Sequence, residues 1–402
     1  MINRGINLIL CGCVWFLAQG MTMLSDPFLQ NPTPDSVTVV WFTEFEGSAH
    51  WLELGEPIET KISATSRRLD LREDEFSYTL RPYSQLSPRP IWRHAVNVTG
   101  LTTNQVLPYR VVSQDEEQMQ RSDWFTLQAS PSVGQPLNIL LTSDHQLMPM
   151  VAANIQQAAA VYGQFDAVFH AGDLVNVPDR ASEWFDDRRG RSFFPVLQGK
   201  ASVQLGETLY QGAPILQNTP LFPCVGNHEV MGRKSNLEPL HIQYKNAHPR
   251  AIAEESYLNQ STQADPDFAQ QWIGDRSFNF QTYQDIFTLS PTSAPQQQYY
   301  AVTFGDIRLI SLMVTNVWRP AEENVKTAGR YQESEAQLTQ PETWGYGQFI
   351  FESITPDSDQ YQWLAQELES PEFQRAKYKI VMFHHPPHSL GGNITVSYTH
   401  LR

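Results

Sequence analysis

Four short segments of the chain carry oxygen and imidazole donors, each directly after an apolar run. They are Thr142-Ser143-Asp144-His145-Gln146, His170-Ala171-Gly172-Asp173-Leu174, Val225-Gly226-Asn227-His228-Glu229 and Val381-Met382-Phe383-His384-His385-Pro386. Such apolar runs read as buried strands, and the ends of neighbouring strands share one rim of a sheet. Carboxylate, amide and imidazole together suit Fe, Mn or Zn. They could hold two ions about 3.5–4 Å apart, which would generate hydroxide near neutral pH and clamp the oxygens of a phosphate ester. Hydrolysis of such esters is among the slowest uncatalysed reactions, so the barrier to be lowered is large. Singly the segments are weak. Gly-Asp after a strand is common in loops, and Asp144 alone could be a helix N-cap. Gly226-Asn227-His228-Glu229 is far more specific, and the ordered set of four carries the reading.

The elements that must position these donors follow a strand–helix–strand rhythm. Strands are predicted over 137–142, 166–170 and 221–225, with an Ala- and Gln-rich helix over 150–162. A hairpin over 299–313 turns on Gly305-Asp306. A helix over 359–368 places Tyr361, Leu364, Ala365 and Leu368 on one face. This alternation implies an α/β domain centred on sheets with helices on the faces, residues 137–402. The stretch 230–298 has no clear period and reads as an insertion near the active face. Residues 130–136, rich in Pro, Ser and Gly, read as a linker. Before them, residues 26–130 are short β-type runs broken by turn residues, which predicts an antiparallel β-sandwich with Trp41, Trp51 and Trp124 in its core.

Composition narrows the function classes. A net charge of -15 and a pI near 5.1 argue against a nucleic-acid or anionic-membrane binder. No protein partner is predicted. Of Cys11, Cys13 and Cys224, only the last lies in a core-like run, where a packed thiol is expected. Residues 1–20 have Arg4 before a short apolar stretch. They could be an export signal, giving a periplasmic or secreted protein, or upstream translation before Met21 or Met23, giving a cytoplasmic one. Leu10-Cys11-Gly12-Cys13 also resembles a lipoprotein processing box. No other stretch is apolar enough to span a membrane.

From about residue 137 to the end, the four segments resemble the calcineurin-like metallophosphoesterases. Residues 34–44, 99–101 and 109–111 are similar to the fibronectin-III-like domain that precedes the catalytic domain in the purple-acid-phosphatase-like branch. The resemblance implies an αββα-type fold and two divalent or trivalent ions. Asp144 would ligate the first, Asp173 would bridge both, and Asn227 and His384 would ligate the second. His228 would stabilise the phosphoryl transition state or protonate the leaving alcohol, an acid role the chemistry requires. Glu229 would orient an imidazole.

Three departures stand beside this. Gln146 occupies a place where many members have His; the adjacent His145 points the other way on an extended strand and is expected to support the site. Asn176 stands where purple acid phosphatases have Tyr and is a possible ligand. None of the eleven histidines forms Gly-His-x-His, so the domain is expected to be C-terminally truncated and weak in its second metal. His170 is expected to pack beneath the metals, and Arg233, His385 and His388 could contact substrate. The function implied is hydrolysis of a small phosphorylated substrate, a monoester before a diester. The rival is a non-catalytic binding protein with a degenerate metal site.

Overall fold

The computed structural model describes residues 23–116, 118–232, 237–245, 247, 249–260, 265–289, 298–319, 348–352 and 354–385. Residues 1–20, Arg233 and His388 lie outside them. The N-terminal region is built from β1 (Phe28–Gln30), β2 (Ser36–Thr43), β3 (Ala49–Leu54), β4 (Thr60–Ser63), β5 (Thr65–Arg68), β6 (Leu71–Glu73), β7 (Ser87–Arg89), β8 (Trp92–Thr99), β9 (Leu107–Asp115), β10 (Gln118–Arg121) and β11 (Phe125–Leu127). One sheet runs β1-β2-β8-β5 and a second runs β10-β9-β3-β4, with β11 also on β9.

Strand β2 explains how this region is held. Its side chains alternate, and both faces are buried. Val37, Val39 and Trp41 share a core with Leu52, Val96, Tyr109 and Val111 of the two sheets. Val40 and Phe42 point the other way, into a larger core with Phe169, Trp184 and Phe194 of the second region. A strand with two apolar faces is what packing between three layers requires. Trp41 lies in the first core and donates to Ser113 Oγ at 2.9 Å. Trp51 and Trp124 do not. They are half-buried on outer faces, covered by Lys61 and Arg110 at 5.3 and 4.6 Å. The pair β6-β7 leaves both sheets and forms a separate arm against the second region, where Arg72 N donates to Asp179 O at 2.9 Å.

The second region is mixed α/β. Its elements are β12 (Ile139–Thr142), α1 (Val151–Tyr162), β13 (Ala167–His170), α2 (Ala181–Phe185), α3 (Phe193–Leu197), β14 (Val203–Leu205), β15 (Thr208–Tyr210), β16 (Leu221–Pro223), α4 (Leu240–Lys245), α5 (Arg250–Gln260), α6 (Pro266–Arg276), α7 (Gln281–Ile286), β17 (Tyr300–Phe304), β18 (Ile307–Ser311), β19 (Thr315–Arg319), β20 (Gln348–Phe351), α8 (Asp359–Glu369), α9 (Pro371–Arg375) and β21 (Tyr378–Met382). Strands β12-β13-β16 form a parallel sheet, and β17-β18-β21 a second one, mixed in direction. The sheets share the larger core, with Phe222 and Phe304 in contact at 5.5 Å.

Among the described residues of 230–298 are four helices, and one of them, α7, sends Tyr283 and Ile286 into the main core. Only α4 and α7 are short, at 6 residues each, while α5 and α6 are rich in polar residues, so no apolar period stands out. On α8 the buried residues are Gln360 and Glu367, whereas Tyr361 and Leu368 are exposed. Gln360 bonds the backbone of Met313 and Glu367 pairs with Arg308 at 2.7 Å, so a polar face is turned inward.

Candidate metal centre

Strands β12, β13 and β16 end level: Thr142 pairs with His170, and His170 with Pro223. Their following loops therefore start side by side. Asp144 and Asp173 both take left-handed backbone, with φ of 52° and 58°, a region Asp tolerates better than most residues. Asp144 N donates to Gly172 O at 3.1 Å and Gln146 N to Leu174 O at 3.2 Å, which ties the first loop to the second. A Cβ at Gly172 would lie 2.8 Å from Gly226 N and 3.0 Å from His384 Nδ1, and a Cβ at Gly226 would lie 2.2 Å from Asp173 Oδ1. The loops close on one another because neither residue has a side chain.

One donor atom each from Asp144, Asp173 and His384 lies within 4.8 Å of the others. Asp144 is exposed, while Asp173 is buried. Asp173 Oδ1 accepts from His228 N at 3.0 Å and Oδ2 from Gln146 Nε2 at 2.7 Å; His384 Nε2 is 3.1 Å from Oδ2. Burial would raise this carboxyl, but His228 and His384 reverse the sign and hold it below the usual carboxylate range. His384 Nδ1 is 2.8 Å from the carbonyl of Ala171, so Nδ1 is the donor and Nε2 is the atom facing Asp173. A metal-binding imidazole is oriented in this way. Burial opposes charge on His384, yet Asp173 and then Asp144 prevail and lift it to about 9. A cation can satisfy the field that otherwise retains that proton, so these residues fit a metal ion.

His228 stands beside them. Its Nδ1 donates to Asn176 O at 2.6 Å, leaving Nε2 on the Asp173 side, 3.9 Å from Oδ2. Tyr244 of α4 stacks on its ring at 5.0 Å. The same Tyr244 OH accepts from Asn227 Nδ2 at 3.2 Å, so Oδ1 is the atom Asn227 has for a cation.

The supporting residues differ in part from expectation. Among the described residues Glu229 bonds backbone and not the imidazole it was expected to orient. Its carboxylate accepts from the backbone N–H of Gly226, Asp173 and Leu174 at 2.7, 2.9 and 2.8 Å, binding the second and third loops together. Burial and the charge of Asp173 push it up to about 8, against those three N–H groups. Asn176, expected as a possible ligand, donates its amide to Gln146 O and gives its carbonyl to His228. His145 turns into the interior, where it meets His170 at 4.5 Å, and burial lowers both; His145 falls to about 3. His385 sits on Thr315 Oγ1 at 2.8 Å and is lowered to about 3 by burial and then by His384. Cys224 is buried and free.

The family model described as calcineurin-like phosphoesterase matches residues 137–401. The chain belongs to the calcineurin-like phosphoesterase family. With that membership come a hydrolase superfamily and metallophosphoesterase chemistry. Among solved structures, purple acid phosphatase PPD1 from yellow lupin (Lupinus luteus) seeds is similar at 15% identity and a TM-score of 0.49. The match covers 88% of this phosphoesterase chain and 50% of that one, so this chain spans half the length of the lupin chain. The Br derivative of BhCBM56 matches 26% of this chain and 92% of its own at 15% identity, with a TM-score of 0.17. A computer-based redesign of a β-sandwich protein matches 27% of this chain and 98% of its own at 17% identity, also at 0.17. A search of the curated proteins gave no match. Among the described residues no helix is long and apolar enough to cross a membrane.

Proposed function

We propose that the chain hydrolyses phosphomonoesters of small molecules, with Asp144, Asp173, Asn227 and His384 as the residues that hold a pair of metal ions. Bound there, the ions would supply a nucleophile from water near neutral pH and draw charge from the phosphoryl oxygens. The observation that carries the reading is the convergence of Asp144, Asp173 and His384 donor atoms within 4.8 Å of one another, beside His228. His228 is committed at Nδ1, so Nε2 is where it would hold a proton for the departing alkoxide. Gln146 fixes the Asp173 carboxylate through its amide, in a place where an imidazole would offer a further ligand.

The test is release of p-nitrophenol from its phosphate monoester after loading with Mn, Fe or Zn, set against Asp173→Asn and His228→Ala, with metal content measured on each. Loss of metal in Asp173→Asn, and loss of turnover with metal retained in His228→Ala, are the expected results. Undiminished turnover in Asp173→Asn would reject the assignment. Faster cleavage of the bis-p-nitrophenyl diester would move the reading to a phosphodiesterase. Absence of metal in the native chain would favour a non-catalytic binding protein.

A further inference from the structure

We infer that Asp74, in the turn after β6 of the N-terminal region, is a positioning residue for His228. The carboxylate is fully buried and sits in another part of the chain from the site. It reaches His228 along two routes. In the first, Arg180 Nη2 donates to both Asp74 oxygens at 3.2 and 3.1 Å, and Arg180 Nη1 donates to Glu183 Oε1 at 2.8 Å. Glu183 Oε2 then accepts from Asn176 N at 2.6 Å and Val177 N at 2.9 Å, and the Asn176 carbonyl receives His228 Nδ1–H at 2.6 Å. In the second, Asp74 Oδ2 accepts from Leu240 N at 2.8 Å, at the start of α4. Tyr244 on that helix covers the His228 ring and bonds Asn227.

Asp74 thus anchors both the carbonyl that selects the tautomer of His228 and the ring that fixes its tilt. Its own rotamer is set by Phe76 N at 3.1 Å and Ser77 Oγ at 3.2 Å. Arg180 is a buried cation between two buried carboxylates, with side-chain exposures of 9% for Arg180, 0% for Asp74 and 4% for Glu183. Removing either carboxylate leaves an imbalance that the loop must relax. The arm β6-β7 is therefore part of the apparatus that aims the site, and the kinetic consequence rests on the proton role proposed above for His228.

The experiment compares Asp74→Asn and Glu183→Gln with the native full chain. Arg67→Gln serves as control, since it breaks another bond between the two regions, to Asp285 at 2.8 Å. The first readout is nitrogen NMR of the metal-free chain labelled at histidine, with His228 assigned by its loss in His228→Gln. The native chain and Arg67→Gln should show His228 as the Nδ1–H tautomer, and the two carboxylate variants a mixture of both. The second readout is turnover of p-nitrophenyl phosphate, where kcat should fall about 10- to 100-fold with KM within about twofold. A His228 that stays wholly Nδ1–H in the folded variants, or that shifts as far in Arg67→Gln, overturns the inference. If Asp74→Asn fails to fold, Arg180→Lys decides, because it loses the forked contact with both Asp74 oxygens while keeping a buried cation. A chain without phosphatase activity would sink the proposed function, yet the tautomer comparison would still settle the positioning.

Discussion

Replacing Gly226 by Ala adds one methyl group and tests whether the three loops close as tightly as described. Gly226 has φ of -105° and ψ of -177°, which alanine adopts freely, so any effect comes from contact and not from backbone strain. The new Cβ would lie 2.2 Å from Asp173 Oδ1, 0.8 Å inside the 3.0 Å that real Cβ contacts respect. Asp173 has nowhere to retreat. Oδ1 is held by His228 N at 3.0 Å, and Oδ2 by Gln146 at 2.7 Å and His384 at 3.1 Å. Backbone movement is blocked as well, since Asp173 N is 2.7 Å from the same Cβ and bound to Glu229. Overpacking of this kind costs about 1–3 kcal/mol, and loss of the His228 bond to a charged acceptor about 1.5–3 kcal/mol. The two overlap, so the expected destabilisation is about 2–4 kcal/mol. A metal ligand tolerates displacement of only about 0.2 Å, so affinity should also fall at least about tenfold, or about 1.4 kcal/mol. Urea unfolding of the metal-free chain and calorimetric titration with Mn or Zn read the two quantities separately. An unfolding midpoint equal to that of the native chain, together with metal affinity within about twofold, would refute the argument.

Gly274→Ala is the matching control: its Cβ meets nothing within 4 Å inside α6, so stability should rise by up to about 1 kcal/mol with metal affinity unchanged in the same assays. His94 is lowered to about 2, by burial first and then by His50 and Arg93. The folded state therefore binds fewer protons than the unfolded chain, and stability falls as pH drops below the unfolded value of about 6.5, by about 1.4 kcal/mol at pH 5.5 from this group. Urea unfolding between neutral pH and pH 5.5 should show a shallower loss in His94→Gln; equal slopes would reject the assignment. Glu367→Ala strands Arg308, whose side chain is 6% exposed, and should cost about 3–5 kcal/mol. The double replacement Arg308→Met with Glu367→Leu should recover most of that loss in thermal unfolding.

The rim of the sheet was legible because strand ends leave a local signature. One apolar run that stops at Asp, Asn or His says little, but four in order mark a rim, and Asp144, Asp173 and His384 of that set come together in the structure. The β-branched and aromatic run of β2 likewise announced a strand. It could not announce that the second apolar face meets another region, since Val40 and Phe42 look like any strand interior. What α8 buries was hidden for a related reason. Gln360 and Glu367 count as surface residues until their partners, the Met313 backbone and Arg308, are in view.

What aims the donors is carried by atoms that every residue possesses. Ala171 O orients His384, Asn176 O orients His228, and three backbone N–H groups hold Glu229. A carbonyl has no letter in the sequence. Glu229 could therefore be recognised as part of the Gly-Asn-His-Glu segment while its task, joining two loops and not steering an imidazole, stayed hidden. The trace such geometry does leave is negative, at Gly172 and Gly226, where a side chain would occupy space that a neighbouring backbone or carboxylate already fills. Asp74 shows the same limit at long range. Its five acceptor contacts draw on Phe76, Ser77, Arg180 and Leu240, and only folding brings the last two to it. A site assembled this way depends on the N-terminal arm for its angles and on the α/β sheets for its atoms. Removing the arm should therefore disturb the orientation of His228 before it disturbs the cluster of Asp144, Asp173 and His384.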